Sequence, residues 1–257
     1  MSSVTIELPG VEIEAAQRIS EKLRAFAAGR MLIIGVSGGI DSAVTLYLSV
    51  KAAGPENVYA LIMPDSRTTP NADVQDAVEL VSTLGVRYKV HRIDPVVDSL
   101  VSELGATDEK AIGNMRARIR MAILYYYSNV HNGLVVGTGD RSEILLGYFT
   151  KHGDGGADVL PIGGLFKTQV RTLGRLLGLP STLVDKPSSP RLWPGQTAEA
   201  ELGLVYETAD RILYGLTVLG LKEAELVKTG FAESDVMRVI ALMNGSQHKR
   251  TLAPVLD

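Results

Sequence analysis

The sequence contains no cysteine. That excludes disulfides, thiolate zinc sites, iron–sulfur clusters and a cysteine nucleophile, and it fits a cytoplasmic protein. Histidine is scarce: His91, His131, His152 and His248 are the four present, and no two stand at metal-ligand spacing. No stretch approaches the ~18 apolar residues of a membrane span, so no membrane association is expected. The first residues, Met-Ser-Ser-Val-Thr-Ile-Glu-Leu-Pro, lack a basic region followed by an apolar one, and no secretory leader is expected. A net charge of −3 and a pI near 5.9 remove any global drive toward nucleic acid.

What is present is an ordinary globular balance over 257 residues: 46% hydrophobic, 21% charged, mean hydropathy +0.14. That is chain enough for a sizeable core, expected as one domain over 1–257. Ile13, Ala16, Ile19, Leu23 and Phe26 recur at helical spacing, with Gly29 as the expected stop. Residues 31–36 form a short continuous apolar run, typical of a strand buried on both faces. A Gly-rich turn and a helical pattern over 41–53 follow. Strands are expected again at 58–63, 87–93 and 134–137. Between them lie a helix that Thr69 caps and Pro70 opens and a long helix over 108–129. This alternation predicts an α/β protein with an open, mostly parallel sheet and helices on both faces. The remainder reads as helical: 167–177, 199–216, 222–228 and 234–244. Gly, Pro and Ser gather at 178–197, which predicts an irregular loop.

The strongest local signal is Gly35-Val36-Ser37-Gly38-Gly39-Ile40-Asp41-Ser42, between the first strand and its helix. Adjacent glycines let the backbone approach a phosphate and turn N–H groups toward it, and the helix N-terminus adds positive potential there. Ser37 and Ser42 can donate hydroxyls. Asp41 is out of place beside an anion unless it holds a cation, and Mg²⁺ prefers carboxylate and phosphate oxygens. The plainer reading is a Gly-Gly turn followed by a capped helix. The segment lacks the Gly-Lys-Ser/Thr end of a Walker loop. After the fourth strand comes Gly137-Thr138-Gly139-Asp140-Arg141-Ser142-Glu143, in which Glu143 is a capping-box partner of Asp140, a metal ligand, or both. The segment 149–162 then packs glycines, aspartates and Lys151 between apolar runs, as an ordered loop over a polar ligand would.

The loop at 35–42 resembles that of the N-type ATP pyrophosphatases, which split ATP between its α and β phosphates. Taken with Gly113-Asn114-Met115-Arg116-Ala117-Arg118-Ile119-Arg120-Met121, Tyr148-Phe149-Thr150-Lys151, Gly153-Asp154-Gly155-Gly156, Gly195-Gln196-Thr197 and His248-Lys249-Arg250, the chain resembles the NAD⁺ synthetase family over roughly residues 13–254. The resemblance implies an adenine nucleotide α-hydrolase-like fold with a helical C-terminal part. It implies a ligase that adenylates deamido-NAD⁺ with ATP, releases pyrophosphate, and replaces AMP with ammonia to give NAD⁺.

By the same resemblance Gly35, Val36, Ser37, Gly38, Gly39, Ile40, Asp41, Ser42, Thr138, Lys167 and Ser188 contact ATP. Arg118, Lys151, Asp158, His248 and Lys249 contact deamido-NAD⁺, and Asp41 and Glu143 hold Mg²⁺. No covalent protein nucleophile is implied. Arg116 and Arg120 are assigned to surface or interface, and Trp193 to packing. The chain departs from the family pattern at Ala198-Glu199 and Pro190-Arg191. With no cysteine and no spare length for a glutaminase, it is expected to use free ammonia or ammonia passed by a separate protein. A homodimer is implied, with the apolar helix 119–127 and its Tyr125-Tyr126-Tyr127 run as candidate interface. The rival readings are an ATP pyrophosphatase acting on another acceptor, a thiolation enzyme, and a nucleotide sensor.

Overall fold

Residues 6–256 are described here in a computed structural model. Four parallel strands form one sheet in the order β3-β2-β1-β4: β1 Leu32–Gly35, β2 Val58–Ile62, β3 Arg87–Val90 and β4 Leu134–Val136. The register runs Leu32 to Val58 on one side of β1 and Leu32 to Leu134 on the other. Side chains alternate across a strand, so Leu32 and Ile34 serve one face and Ile33 the other. On the first face they join Ala43 and Leu46 of α2 (Ile40–Ala53) and Ala77 and Val81 of α3 (Asn71–Thr83). On the second, Ile33 and Leu61 pack with Val97 of α4 (Asp94–Leu104) and Ile119 of α5 (Glu109–Val130). α1 (Ile13–Ala27) lies outside α2.

Beyond β4 the chain is helical: α6 Arg141–Leu146, α7 Lys167–Leu176, α8 Ser181–Val184, α9 Ala198–Leu202, α10 Tyr206–Thr217, α11 Glu223–Lys228 and α12 Glu233–Gly245. Leu202, Tyr206, Ile212, Leu226 and Val236 form a second core under α6. Thus the C-terminal helices support the segment that leaves β4.

Several local expectations change. The third helix begins at Asn71, with Pro70 as its N-cap, so Thr69 does not cap it and its hydroxyl oxygen accepts from Asp65 N instead. β3 ends at Val90, and all four of its residues are exposed at the edge of the sheet. Asp94 then starts α4, a helix that the sequence pattern did not show between the strand at 87–93 and the long helix. One helix expected over 199–216 is two, broken where Gly203 adopts φ +72°.

Candidate active site

β1 delivers the chain to the carboxyl edge of the sheet, where β1 and β4 part and open α/β sheets bind ligands. Here the 35–42 segment turns. Gly38 has φ +78°, and a Cβ on it would lie 2.1 Å from the Asp73 carbonyl oxygen, so the turn both needs glycine and is braced by α3. Hydroxyls tie the turn together: Ser37 N donates to Ser42 Oγ (3.2 Å), Gly39 N to Ser37 Oγ (3.3 Å), and Ser42 Oγ to Gly39 O (3.0 Å). The first backbone bond of α2 is Ala43 N to Gly39 O. The N–H groups at the start of α2 therefore remain available to an anion.

Beneath this turn lies a charged cluster. Lys167, the first residue of α7, is wholly buried, and its Nζ stands 2.7 Å from Asp41 Oδ2, 2.9 Å from Asp140 Oδ2 and 2.8 Å from Glu143 Oε1. Burial opposes its charge, yet the three carboxylates hold its pKa well above the ordinary value. Burial, with Asp41 nearby, pushes the Asp140 carboxyl up to about 6; Glu143 is raised well above its ordinary value, again by burial first and then by Asp140 and Asp41. Glu143 also completes the expected capping box: Asp140 Oδ1 accepts from Glu143 N (2.8 Å), and Glu143 Oε2 accepts from Asp140 N (3.3 Å). Asp41 Oδ1 is buried without a partner. Three acids facing one ammonium, with an unpartnered carboxylate oxygen, suit one further cation.

Above the turn a cleft of about 490 Å³ opens. All of residues 35–42 line it, as do Thr138, Glu143, Ser188 and Lys249. The Ser188 hydroxyl is buried and unpartnered. Lys167 forms the floor rather than the lining. Arg118, Lys151, Asp158 and His248 do not line the cleft. Arg118 is exposed on α5. Asp158 accepts from Val135 N (2.7 Å) and Tyr125 Oη (3.2 Å), and Lys151 donates to the carbonyl of exposed His248 (2.7 Å). Lys249 donates to the carbonyls of Gly147 and Phe149, and Arg250 to Ile144 and Leu145, so the tail covers the C-terminus of α6.

Other residues escaped the sequence reading. Asp210 on α10 is buried; Oδ1 accepts from the Ser142 hydroxyl and Oδ2 from Thr168 N (2.8 Å). It joins the N-termini of α6 and α7, which carry Glu143 and Lys167. Only the helical spacing of Tyr206 and Asp210 hinted at an inward face. Gln196 organises the divergent loop, accepting from Leu192 N (2.8 Å) and donating to Glu201 (2.7 Å), which also takes the Tyr148 hydroxyl. Lys186 links that loop to the turn through Gly38 O (2.8 Å) and Asp73 (2.9 Å). Of the two arginines assigned to surface or interface, Arg116 is buried against Asp65 (2.7 Å) and Arg120 lines the cleft, while Trp193 packs over Gly113 as expected.

Fold and edge loop together define an open parallel α/β protein of nucleotide-binding type. A family model described as NAD synthase matches residues 13–253. The chain belongs to that family. It is 51% identical to an NH(3)-dependent NAD(+) synthetase of Hyperthermus butylicus over 98% of this chain and 93% of that one. A solved NMN synthetase from Francisella tularensis superposes with TM-score 0.85 at 35% identity, covering 96% of this chain and 99% of that one. An NH3-dependent NAD synthetase from Campylobacter jejuni, solved with a nitrate ion, gives TM-score 0.82 at 28% identity over 96% and 100%. Among the described residues no helix is long and apolar enough to cross a membrane.

Proposed function

We propose that the cleft above residues 35–42 is where this ammonia-dependent NAD⁺ synthetase binds ATP and activates its acid substrate. The reaction amidates deamido-NAD⁺: its carboxylate oxygen bonds to the α phosphorus of ATP, and pyrophosphate leaves. Ammonia nitrogen then adds to the acyl carbon, AMP departs with the C–O bonding electrons, and a proton is released. The observation that carries the residue assignment is the set of open N–H groups at the start of α2, directly above the Asp41–Glu143–Lys167 floor.

In this reading the turn's N–H groups, Ser37 and Ser42 orient the triphosphate, with Thr138 and Ser188 flanking it. Asp41 and Glu143 would hold Mg²⁺, whose charge would screen phosphate and pyrophosphate oxygens. The unpartnered Asp41 oxygen fits this, since Mg²⁺ prefers carboxylate and phosphate oxygens. Lys167 keeps the two carboxylates together. No side chain acts as nucleophile, since the substrate brings its own oxygen, and rate enhancement comes from positioning and charge. Lys151, Asp158 and His248, lying outside the cleft, receive the part of the dinucleotide that projects from it, while Arg118 lies on the side of α5 away from the cleft-lining Arg120.

The protein acts as one domain, in the cytoplasm, and as a homodimer. Support for the dimer is the apolar face of adjoining helices α4 and α5, where Val96, Leu100, Leu104, Tyr126 and Val130 are exposed. Of the tyrosine run only Tyr126 is free for this: Tyr125 bonds Asp158 and Tyr127 bonds His91. Sedimentation giving a fully active monomer would remove the dimer.

Incubation with ATP, Mg²⁺, ammonium and deamido-NAD⁺ should yield NAD⁺, AMP and pyrophosphate in equal amounts, and no NAD⁺ when glutamine replaces ammonium. The likeness to the Francisella NMN synthetase makes nicotinate mononucleotide the competitor to include. Preferential turnover of the mononucleotide would move the acceptor assignment.

A further inference from the structure

We propose that Arg120, and not Arg116, supplies the cleft's contact to an anionic oxygen of the acid acceptor. The inference rests on the cleft being the ATP site. Arg116 and Arg120 lie four residues apart on one face of α5, with Arg118 turned away from both. Arg116 is committed: Nε donates to Asp65 (2.7 Å) and Nη1 to Leu192 O (2.8 Å), and it is absent from the cleft wall. Arg120 lines the cleft. Its Nε is anchored on Met63 O (2.9 Å), while among the described residues its two Nη groups make no hydrogen bond. Asp65 cannot serve them, since both of its oxygens already accept from Arg67 and Arg116. The other charges near this cleft wall are Asp154, which faces Arg120, and Lys249, which faces Asp154.

Burial also pushes the Arg120 pKa down to about 10, the response of a cation short of counter-charge. A guanidinium with one anchored nitrogen and two open ones is pre-set for a planar, two-point contact with carboxylate or phosphate. Its place decides which anion. The 35–42 turn opens α2 on one face of the sheet, and α5 packs on the other, so the turn and Arg120 face each other across the carboxyl edge. A triphosphate on the turn is already supplied with donors. What approaches its α phosphorus from the α5 side is the acceptor.

The test compares Arg120→Ala and Arg120→Lys with the wild type. Calorimetry measures Mg²⁺-ATP binding, and steady-state kinetics measure KM for deamido-NAD⁺. For Arg120→Ala the acceptor KM should rise about 10- to 100-fold, the loss expected for a charged hydrogen bond. ATP affinity should stay within about twofold of wild type. Arg120→Lys keeps the charge and the reach to Met63 O, so it should fold as wild type and still raise the acceptor KM severalfold. Weakened ATP binding with the acceptor KM unchanged, or no change in either, overturns the inference. Failure of the ATP-site reading itself has a different mark: ATP binding would then be indifferent to Gly38→Ala.

Discussion

The side-chain nitrogen of Lys167 lies 2.7 Å from Asp41, a residue 126 positions earlier in the chain. Because Lys167 is fully buried among three acids, removing its charge strands carboxylates that nothing else neutralises. Lys167→Met should therefore cost about 3–5 kcal/mol of stability. Mg²⁺ should recover more of the melting temperature in this variant than it adds to the wild type, since a bound cation stabilises the state that binds it. Thermal melts with and without Mg²⁺ check both; a variant as stable as wild type, or one that Mg²⁺ does not help, would show that the three acids do not depend on this ammonium.

Glu143 serves two purposes that substitution can separate. Glu143→Gln keeps an oxygen for Asp140 N and should melt within about 1 kcal/mol of wild type. It should nevertheless slow deamido-NAD⁺-dependent pyrophosphate release by about 10²-fold or more. Glu143→Ala should lose both. Full activity in Glu143→Gln would reduce the residue to a helix cap.

At Gly38 a methyl group meets two penalties, a left-handed backbone and the Asp73 carbonyl. The conformation alone costs about 1–3 kcal/mol in a non-glycine residue. Relief requires the turn to shift, so Gly38→Ala should weaken ATP binding at least about tenfold by calorimetry. Unaltered affinity would place the phosphates elsewhere.

Acid stability should depend on Asp65. Burial would raise its pKa, but hydrogen bonds from Arg67 and Arg116 overcome this and hold it below the ordinary carboxylate value. The unfolded chain, near ~3.9, then binds protons more readily than the folded one. The stabilisation is full above that value and fades as pH falls through the folded value. Asp65→Asn should cost about 3–5 kcal/mol at neutral pH by leaving Arg116 short of its partner. It should also flatten the acid limb of the stability curve in denaturant titrations; an unchanged acid limb would assign it to other groups.

The fold was legible because its buried strands are short continuous apolar runs while its helices repeat apolar residues every three or four positions, and the 35–42 turn because glycine is needed where the backbone turns and closes on α3. Asp140 and Glu143 showed their cap through a spacing of three. Lys167 was harder: a lysine at a helix start reads as solvated, and nothing local shows that Asp41 comes to meet it. Asp210 and Gln196 work across distances of 68 and 5 residues, to Ser142 and Glu201. Of these, only the shorter could have been guessed from neighbouring residues. The arginines of α5 separate by helical phase, which the sequence gives, but which face meets the cleft depends on how α5 lies on the sheet.

The most direct measurement is a crystal structure of the protein soaked with ATP and Mg²⁺. The triphosphate should lie on the N–H groups of residues 38–42, with Mg²⁺ bridging it to Asp41 and Glu143. Density for nucleotide elsewhere, with those two carboxylates still closed on Lys167 and no metal beside them, would contradict the assignment.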